Sequence, residues 1–517
     1  MRLIENESIY RTIWSRFPFS GFDDRQKTLI PFWEKWSLEV LRLLGEGKNV
    51  GIIADTGAGK TIIAHLVATA RYNKVLFLVP ERILGQQHER LLESMAGAGS
   101  YATQVLIGST PHKKRFWNPD AQFTFATPQT FVADFNRWKF EMDFDFVVFD
   151  ELHHGTGEYD YTKIAVVCKA LNIPVVGLSA SPGKNVPEIE KIAETMGFDT
   201  FCHVPDPNRE KKRFVYPKII PMNEPLRRIE EYLSRDIAYV VRKICEERLY
   251  PSRGKELFIP ERDLEKIEER LERLVPSRLK YHGLFLLGAY RKLHAIMHFA
   301  LVESYGTALA YWDGKLGADT SKSGKFVRGL RGTDQAISLM RTLDEKDHPK
   351  VERLLYLARS GYIPSVRGIV FVNNRNTGQI LTRLLNENGW NADLITGGMS
   401  IKRQTGLLRK LADGTMRFIV STSAIEEGVS VPEIGCVIQY SMPLSEKPRI
   451  QRSGRTARVN YGAVDYIILD HPMDKIPFFV SAQGEKTMKE IVSNYPKYKA
   501  RMVTGKSRAE TQLFLFS

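Results

Sequence analysis

The sequence predicts an α/β protein of two parallel-sheet lobes with an all-helical segment inserted between them. Three observations carry that expectation. Short apolar runs alternate with amphipathic stretches from about Lys48 to Val204, the same grammar returns after residue 366, and the span between has helical periodicity. In the first lobe the runs are NVGIIA, KVLFLVP, TQVLIG, FTFATP, FDFVVFD and IPVVGLSAS. Apolar runs of this length, separated by helical patterns, read as buried parallel strands with crossover helices. RGIVFV, NADLIT, RFIVSTS, CVIQYS and VDYIILD give the second lobe its strands. Between the lobes, Leu226, Ile229, Leu233, Ile237, Val240 and Ile244 recur at three- and four-residue steps and share one helical face. The expected division is residues 1–205 and 346–480 for the lobes, 206–345 for the helical insertion and 481–517 for a C-terminal tail.

Composition narrows the class. The 517 residues hold 43% apolar and 26% charged side chains, which excludes wholesale disorder, and a net charge of +14 favours a polyanionic partner, nucleic acid first. Residues 207–350 contribute 29 Lys and Arg against 21 Asp and Glu, so the surplus concentrates in the insertion. Lys322, Lys325, Arg328 and Arg331 form its most compact basic cluster. Cys168, Cys202, Cys245 and Cys436 are scattered, which supplies neither a disulfide framework nor a zinc pair. The N-terminus lacks the apolar core of a signal peptide, and the stretch Gly283 to Val302 carries Arg291, Lys292, His294 and His298. The expectation is an intracellular, cytoplasmic protein with no membrane partner.

Residues 54–61 read Ala-Asp-Thr-Gly-Ala-Gly-Lys-Thr, directly after an apolar run and before IIAHLVATA. Glycines in a strand–loop–helix context let backbone amides close around phosphates at a helix N-terminus. Thr56, Gly57, Ala58, Gly59, Lys60 and Thr61 are therefore candidate nucleotide ligands. Lys60 can reach the β and γ phosphates, and the Thr61 hydroxyl can hold Mg²⁺. Further on, FDFVVF runs into Asp150-Glu151-Leu152-His153. A carboxylate at the C-terminal end of a buried strand suits Asp150 to the ion, and Glu151 to orienting and deprotonating the attacking water. In the second lobe, Gln451-Arg452-Ser453-Gly454-Arg455-Thr456-Ala457-Arg458 places Arg455 and Arg458 three residues apart. On a helix they share a face, from which two guanidinium groups can reach developing γ-phosphate charge across a cleft.

ADTGAGKT, DELH, LSASPG and QRSGRTAR, in this order, resemble motifs I, II, III and VI of superfamily 2 helicases. VLFLVPERILGQQH, IGSTPHKKRFW, FATPQTF and TSAIEEGVSVPE resemble the branch holding archaeal Hef, the Fanconi-anaemia-group M translocase and the RIG-I-like and Dicer helicases. GAYRKLHAIMHFALVESYGTALAYW is similar to the helical insertion of Hef-like proteins. The resemblance implies RecA-like lobes with ATP and Mg²⁺ bound between them. It implies Gln26 as the adenine-reading glutamine, and Gln451, Arg455 and Arg458 as the groups that meet the γ-phosphate. Pro80, Arg82, Gly108, Ser109, Thr127, Pro128 and Gln129 would line the first lobe's groove for a nucleic-acid backbone. Asn373, Asn374, Thr396, Gly397, Thr422 and Ser423 would line the second, and Ser179 and Ser181 would couple groove to nucleotide. Asp24 and Arg25 stand before Gln26 where an aromatic is usual, Ser430 stands at an acidic position of motif V, and Glu81 replaces a threonine of motif Ia.

The resemblance therefore implies an ATP-dependent helicase or translocase with 3′→5′ movement on forked or duplex DNA, in repair or replication-fork processing. An RNA helicase or duplex-RNA-binding ATPase is the alternative, and a nucleotide-gated duplex-binding module without unwinding is the second. The nuclease signature of Hef, the zinc domain of RIG-I-like proteins and the RNase modules of Dicer do not occur in these residues. The terminal QLFLFS resembles a sliding-clamp peptide without its aromatic pair, so the tail is expected to pack back on the body, with a clamp as secondary candidate partner.

Overall fold

The computed structural model describes residues 2–55, 57–108, 115–138, 141–152, 160–183, 185–205, 207, 213–251, 258–359, 367–422, 434–442, 462–493 and 495. Among the described residues, thirteen strands fall into two sheets. The first contains β1 (Val50–Ala54), β2 (Val75–Leu78), β3 (Thr103–Leu106), β4 (Phe123–Ala126), β5 (Phe146–Asp150), β6 (Val175–Ser179) and β7 (Thr200–Val204), in the order β3-β4-β2-β5-β6-β1-β7. Every neighbouring pair in it is parallel. β1, β2, β4, β5 and β6 are buried at every position, as strands covered by helices on both faces must be.

The second sheet holds β8 (Arg213–Ile220), β9 (Gly368–Phe371), β10 (Ala392–Ile395), β11 (Phe418–Ser421), β12 (Cys436–Gln439) and β13 (Gly462–Leu469), ordered β10-β11-β9-β12-β13-β8 and again all parallel. β8 corrects the expected division, because residues 213–220 fall within the supposedly all-helical span yet pair with β13 over their whole length. Its signal is weak for a physical reason. It is an edge strand, where Pro217 is tolerated and Val215 and Ile219 stay exposed, so no continuous apolar run marks it.

After β8 the insertion is helical. Its first helix, Glu224–Glu246, is capped by Asn223, whose side chain accepts from the Leu226 amide at 3.1 Å. Leu226, Ile229, Leu233, Ile237, Val240 and Ile244 are all fully buried. At about 1.5–3 kcal/mol per aliphatic side chain, this stripe supplies much of the insertion's core. The helix Arg278–His298 packs across it and runs into a π-helical turn, Phe299–Glu303.

Buried polar contacts hold the second lobe together and join it to the insertion. Lys350 Nζ meets Asp474 Oδ2 at 2.7 Å with neither side chain exposed, and Ser441 donates to Glu303 at 2.9 Å. The helix Pro472–Ser493 crosses the expected boundary at residue 480 without a break. Phe478 packs on Tyr466 of β13, while Met488, Ile491, Val492 and Tyr495 enter the core beside β6 and β7 of the first sheet. The C-terminal segment thus packs back on the body as far as residue 495, and residues 496–517 lie outside the described residues.

Candidate nucleotide site and strand groove

The P-loop follows β1. Gly57 and Gly59 have φ of +90° and +91°, a region closed to most side chains, and the Ala58 amide donates to Asp55 O at 3.0 Å. Trp33, from the helix Ile30–Gly45, donates its indole N–H to Ala58 O at 3.0 Å, and a Cβ on Gly59 would lie 2.1 Å from that nitrogen. Glycine is required there twice over, by torsion and by space. Lys60 and Thr61 open the helix Lys60–Arg71, whose free amides point toward the loop. From the far side, Lys489 Nζ approaches Asp55 Oδ1 at 3.4 Å.

Asp150 ends β5 and is 5% exposed. Both of its oxygens are held: Oδ1 accepts the Glu151 amide at 2.9 Å, and Oδ2 meets His88 Nε2 at 3.1 Å. Tyr161 shares its hydroxyl proton between Asp150 O at 2.7 Å and Leu78 O at 3.0 Å. Glu151 has φ +50°, a left-handed conformation costly for a side chain of this size and typical of functional turns. The turn brings Glu151 Oε1 within 3.6 Å of Lys60 Nζ. A cation, a recessed carboxylate and a second carboxylate thus converge on the mouth of the P-loop, a donor set that suits a nucleotide–Mg²⁺ pair.

The remaining predicted residues sort along the C-terminal edges of the sheets. β3, β4 and β2 are followed by Gly108, by Thr127 with Pro128 and Gln129, and by Pro80 with Arg82. β5 ends on Asp150, and β6 and β1 are followed by Ser181 and by the P-loop. One half of the edge therefore carries the groove candidates and the other half the nucleotide candidates. In the second sheet, Asn373, Thr396 and Thr422 follow β9, β10 and β11, which are adjacent. Gly108 and Gln129 are exposed, and open space surrounds Gly397. Thr127 Oγ1 donates to Thr130 Oγ1 at 2.8 Å, and Asn373 donates to Met442 O at 2.9 Å. Asn374 caps the helix Arg375–Glu387. At the end of β6, Ser179 Oγ donates to Ser181 O at 2.9 Å and accepts the Ser181 amide at 3.1 Å.

Two candidates are also engaged by the fold itself. Gln26 is exposed and closes a capping box, its Oε1 accepting the Asp23 amide at 3.0 Å. Arg328 turns inward, donating to Leu316 O and, at 2.9 Å, to Asp319 O. Lys322, Lys325 and Arg331 remain exposed. Thr56, Ser109, Ser423, Gln451, Arg455 and Arg458 lie outside the described residues. Sequence reasoning missed Trp33, His88 and Lys489, because a lone side chain on a helix carries no signal of what it meets across the fold.

Residues 37–189 match the DEAD/DEAH box helicase family and residues 350–460 the helicase conserved C-terminal domain. The crystal structure of the Pyrococcus furiosus Hef helicase domain is similar to this chain with a TM-score of 0.63 and 25% identity, over 86% of this chain and 97% of that one. The chain belongs to the Hef-like superfamily 2 helicases. Among relatives of this helicase, a protein of Methanocaldococcus jannaschii named as an ATP-dependent RNA helicase is 27% identical over 86% of this chain. An ATP-dependent DNA helicase of Pyricularia oryzae is 24% identical over 81%, and the DEAD-box ATP-dependent DNA helicase Fancm of Drosophila melanogaster 23% over 86%. The helicase spans 59%, 42% and 34% of the lengths of these three relatives. Among its described residues no helix is long and apolar enough to cross a membrane.

Proposed function

We propose that this helicase couples ATP hydrolysis to 3′→5′ movement along duplex or forked DNA, in repair or fork processing inside the cell. The observation that supports it most is the division of the sheet edges, with nucleotide candidates on β5, β6 and β1 and groove candidates on β3, β4 and β2. Lys60, the P-loop amides and Thr61 would hold the phosphates, and Asp150 with Thr61 would hold Mg²⁺. The ion supplies neutralisation of phosphate charge. Glu151 would take the proton of the attacking water, and Gln451, Arg455 and Arg458 would complete the site from the second lobe. Backbone amides and small hydroxyls in the groove fix register without reading bases, which suits movement over any sequence. Ser179 and Ser181, at the end of β6 beside β5, would couple the nucleotide half to the groove half.

DNA is favoured by the names of the Pyricularia and Drosophila relatives, and the name of the Methanocaldococcus relative supports duplex RNA as the second reading. A triplex-displacement assay beside a strand-displacement assay tests the reading. ATP-dependent release of a third strand from duplex DNA is expected. Duplex binding with no displacement in either assay would leave only a nucleotide-gated clamp.

A further inference from the structure

His88 lies on the helix Arg82–Ala96, six residues past Arg82 and so about 9 Å along the axis from the groove end. Its ring is 3% exposed, and its Nε2 meets Asp150 Oδ2 at 3.1 Å. With Asp150 ionised, Nε2 carries the proton and His88 donates. Rings surround it otherwise: His65 at 5.4 Å, Phe77 at 5.5 Å and Phe125 at 6.2 Å between centroids. Nδ1 is buried with no hydrogen-bond partner among the described residues. Burying an imidazole with one bare nitrogen is unfavourable, and an apolar side chain of the same volume would pack there without that cost. The hydrogen bond to Asp150 is what the imidazole supplies in return. The same helix begins immediately after Pro80 and Glu81 at the end of β2, on the groove half of the edge. A shift of this rigid element on contact with a strand moves His88, and with it one of the two anchors of the carboxylate.

We propose that His88 is a positioning residue that fixes the Asp150 carboxylate for Mg²⁺ and transmits movement of the strand-facing helix Arg82–Ala96 to it. The transmission half rests on the groove reading above, and the fixation half does not. Loss of an outer-shell partner of a metal ligand typically costs 10- to 100-fold in metal affinity.

The test compares His88→Phe, which keeps ring volume and removes the donor, with His88→Gln, whose amide keeps a donor near the Nε2 position. Binding of a fluorescent non-hydrolysable ATP analogue is titrated with Mg²⁺ without nucleic acid, and ATPase is then measured with and without forked DNA. His88→Phe should raise half-saturating Mg²⁺ about 10-fold or more and lower the stimulation ratio, and His88→Gln should recover most of both. If His88→Phe does not fold, His88→Asn serves instead, since its shorter amide falls short of Oδ2 and should show the same Mg²⁺ shift. Parental Mg²⁺ dependence and stimulation in a folded His88→Phe or His88→Asn protein would overturn the proposal. A parental protein that no nucleic acid stimulates would overturn the groove reading and the transmission half together, while the Mg²⁺ titration still decides fixation.

Discussion

Lys60 Nζ stands 3.6 Å from Glu151 Oε1, both side chains mostly shielded, so the P-loop cation and the candidate base share one ion pair. Bound phosphates would compete with Glu151 for the ammonium. Glu151→Gln should therefore bind ATP at least as tightly as the parent while turnover falls by about 10²–10⁴-fold. Lys60→Ala should weaken binding itself. Nucleotide titration and steady-state phosphate release separate the two, and near-parental turnover in Glu151→Gln would contradict the assignment.

Lys489 reaches Asp55 from a helix that also packs on the second lobe. The pair is partly exposed, so it adds only about 0–1 kcal/mol to stability. Its effect should appear at the nucleotide, because an unbalanced Asp55 repels phosphates. Lys489→Glu should raise half-saturating ATP several-fold, and Asp55→Asn in the same protein should cancel the change. A Lys489→Glu variant with parental ATP dependence would remove Lys489 from the site.

The basic cluster of the insertion splits into two roles. Replacing Lys322, Lys325 and Arg331 should lower fork affinity and flatten its salt dependence by about 0.9 for each phosphate left without its cation, with ATPase lacking nucleic acid unchanged. Arg328→Ala should instead lower thermal stability, by about 1–2 kcal/mol, since two carbonyls are deprived of a charged donor. Unchanged affinity and salt slope in the triple variant would retire the gripping role.

Burial holds His294 and His298 down to about 4 and His348 down to about 3. His348 fits the neutral ring, donating from Nε2 to Ala300 O at 3.1 Å and accepting the Lys350 amide at Nδ1. The unfolded chain takes up these protons near pH 6.5, well before the folded one does. Stability is therefore complete above about pH 6.5 and is lost as pH falls toward 4, by roughly 1–2 kcal/mol per ring at pH 5. Urea unfolding at pH 7.5 and 5.0 checks this, and equal midpoints would contradict it.

The sheets, the insertion's buried stripe and the P-loop were legible because each is a local pattern: apolar runs, a 3.6-residue period, glycines between strand and helix. β8 was not, since an edge strand interrupted by Pro217 shows no such run. The partners of the site were equally hidden. Trp33, His88 and Lys489 act through contacts with residues 25, 62 and 434 positions away, which no spacing encodes. Gln26 and Arg328 show the converse, where a residue type suited to a ligand is engaged within its own turn or by nearby carbonyls.

The central claim is that nucleotide and strand sites on one sheet edge are coupled, with DNA as the strand. ATPase activity of the whole chain, measured with forked DNA, linear duplex DNA, duplex RNA and no nucleic acid, tests it most directly. Stimulation by forked DNA above linear duplex, and by either above RNA, is the predicted result. Turnover that no nucleic acid changes, or that only duplex RNA raises, would contradict it.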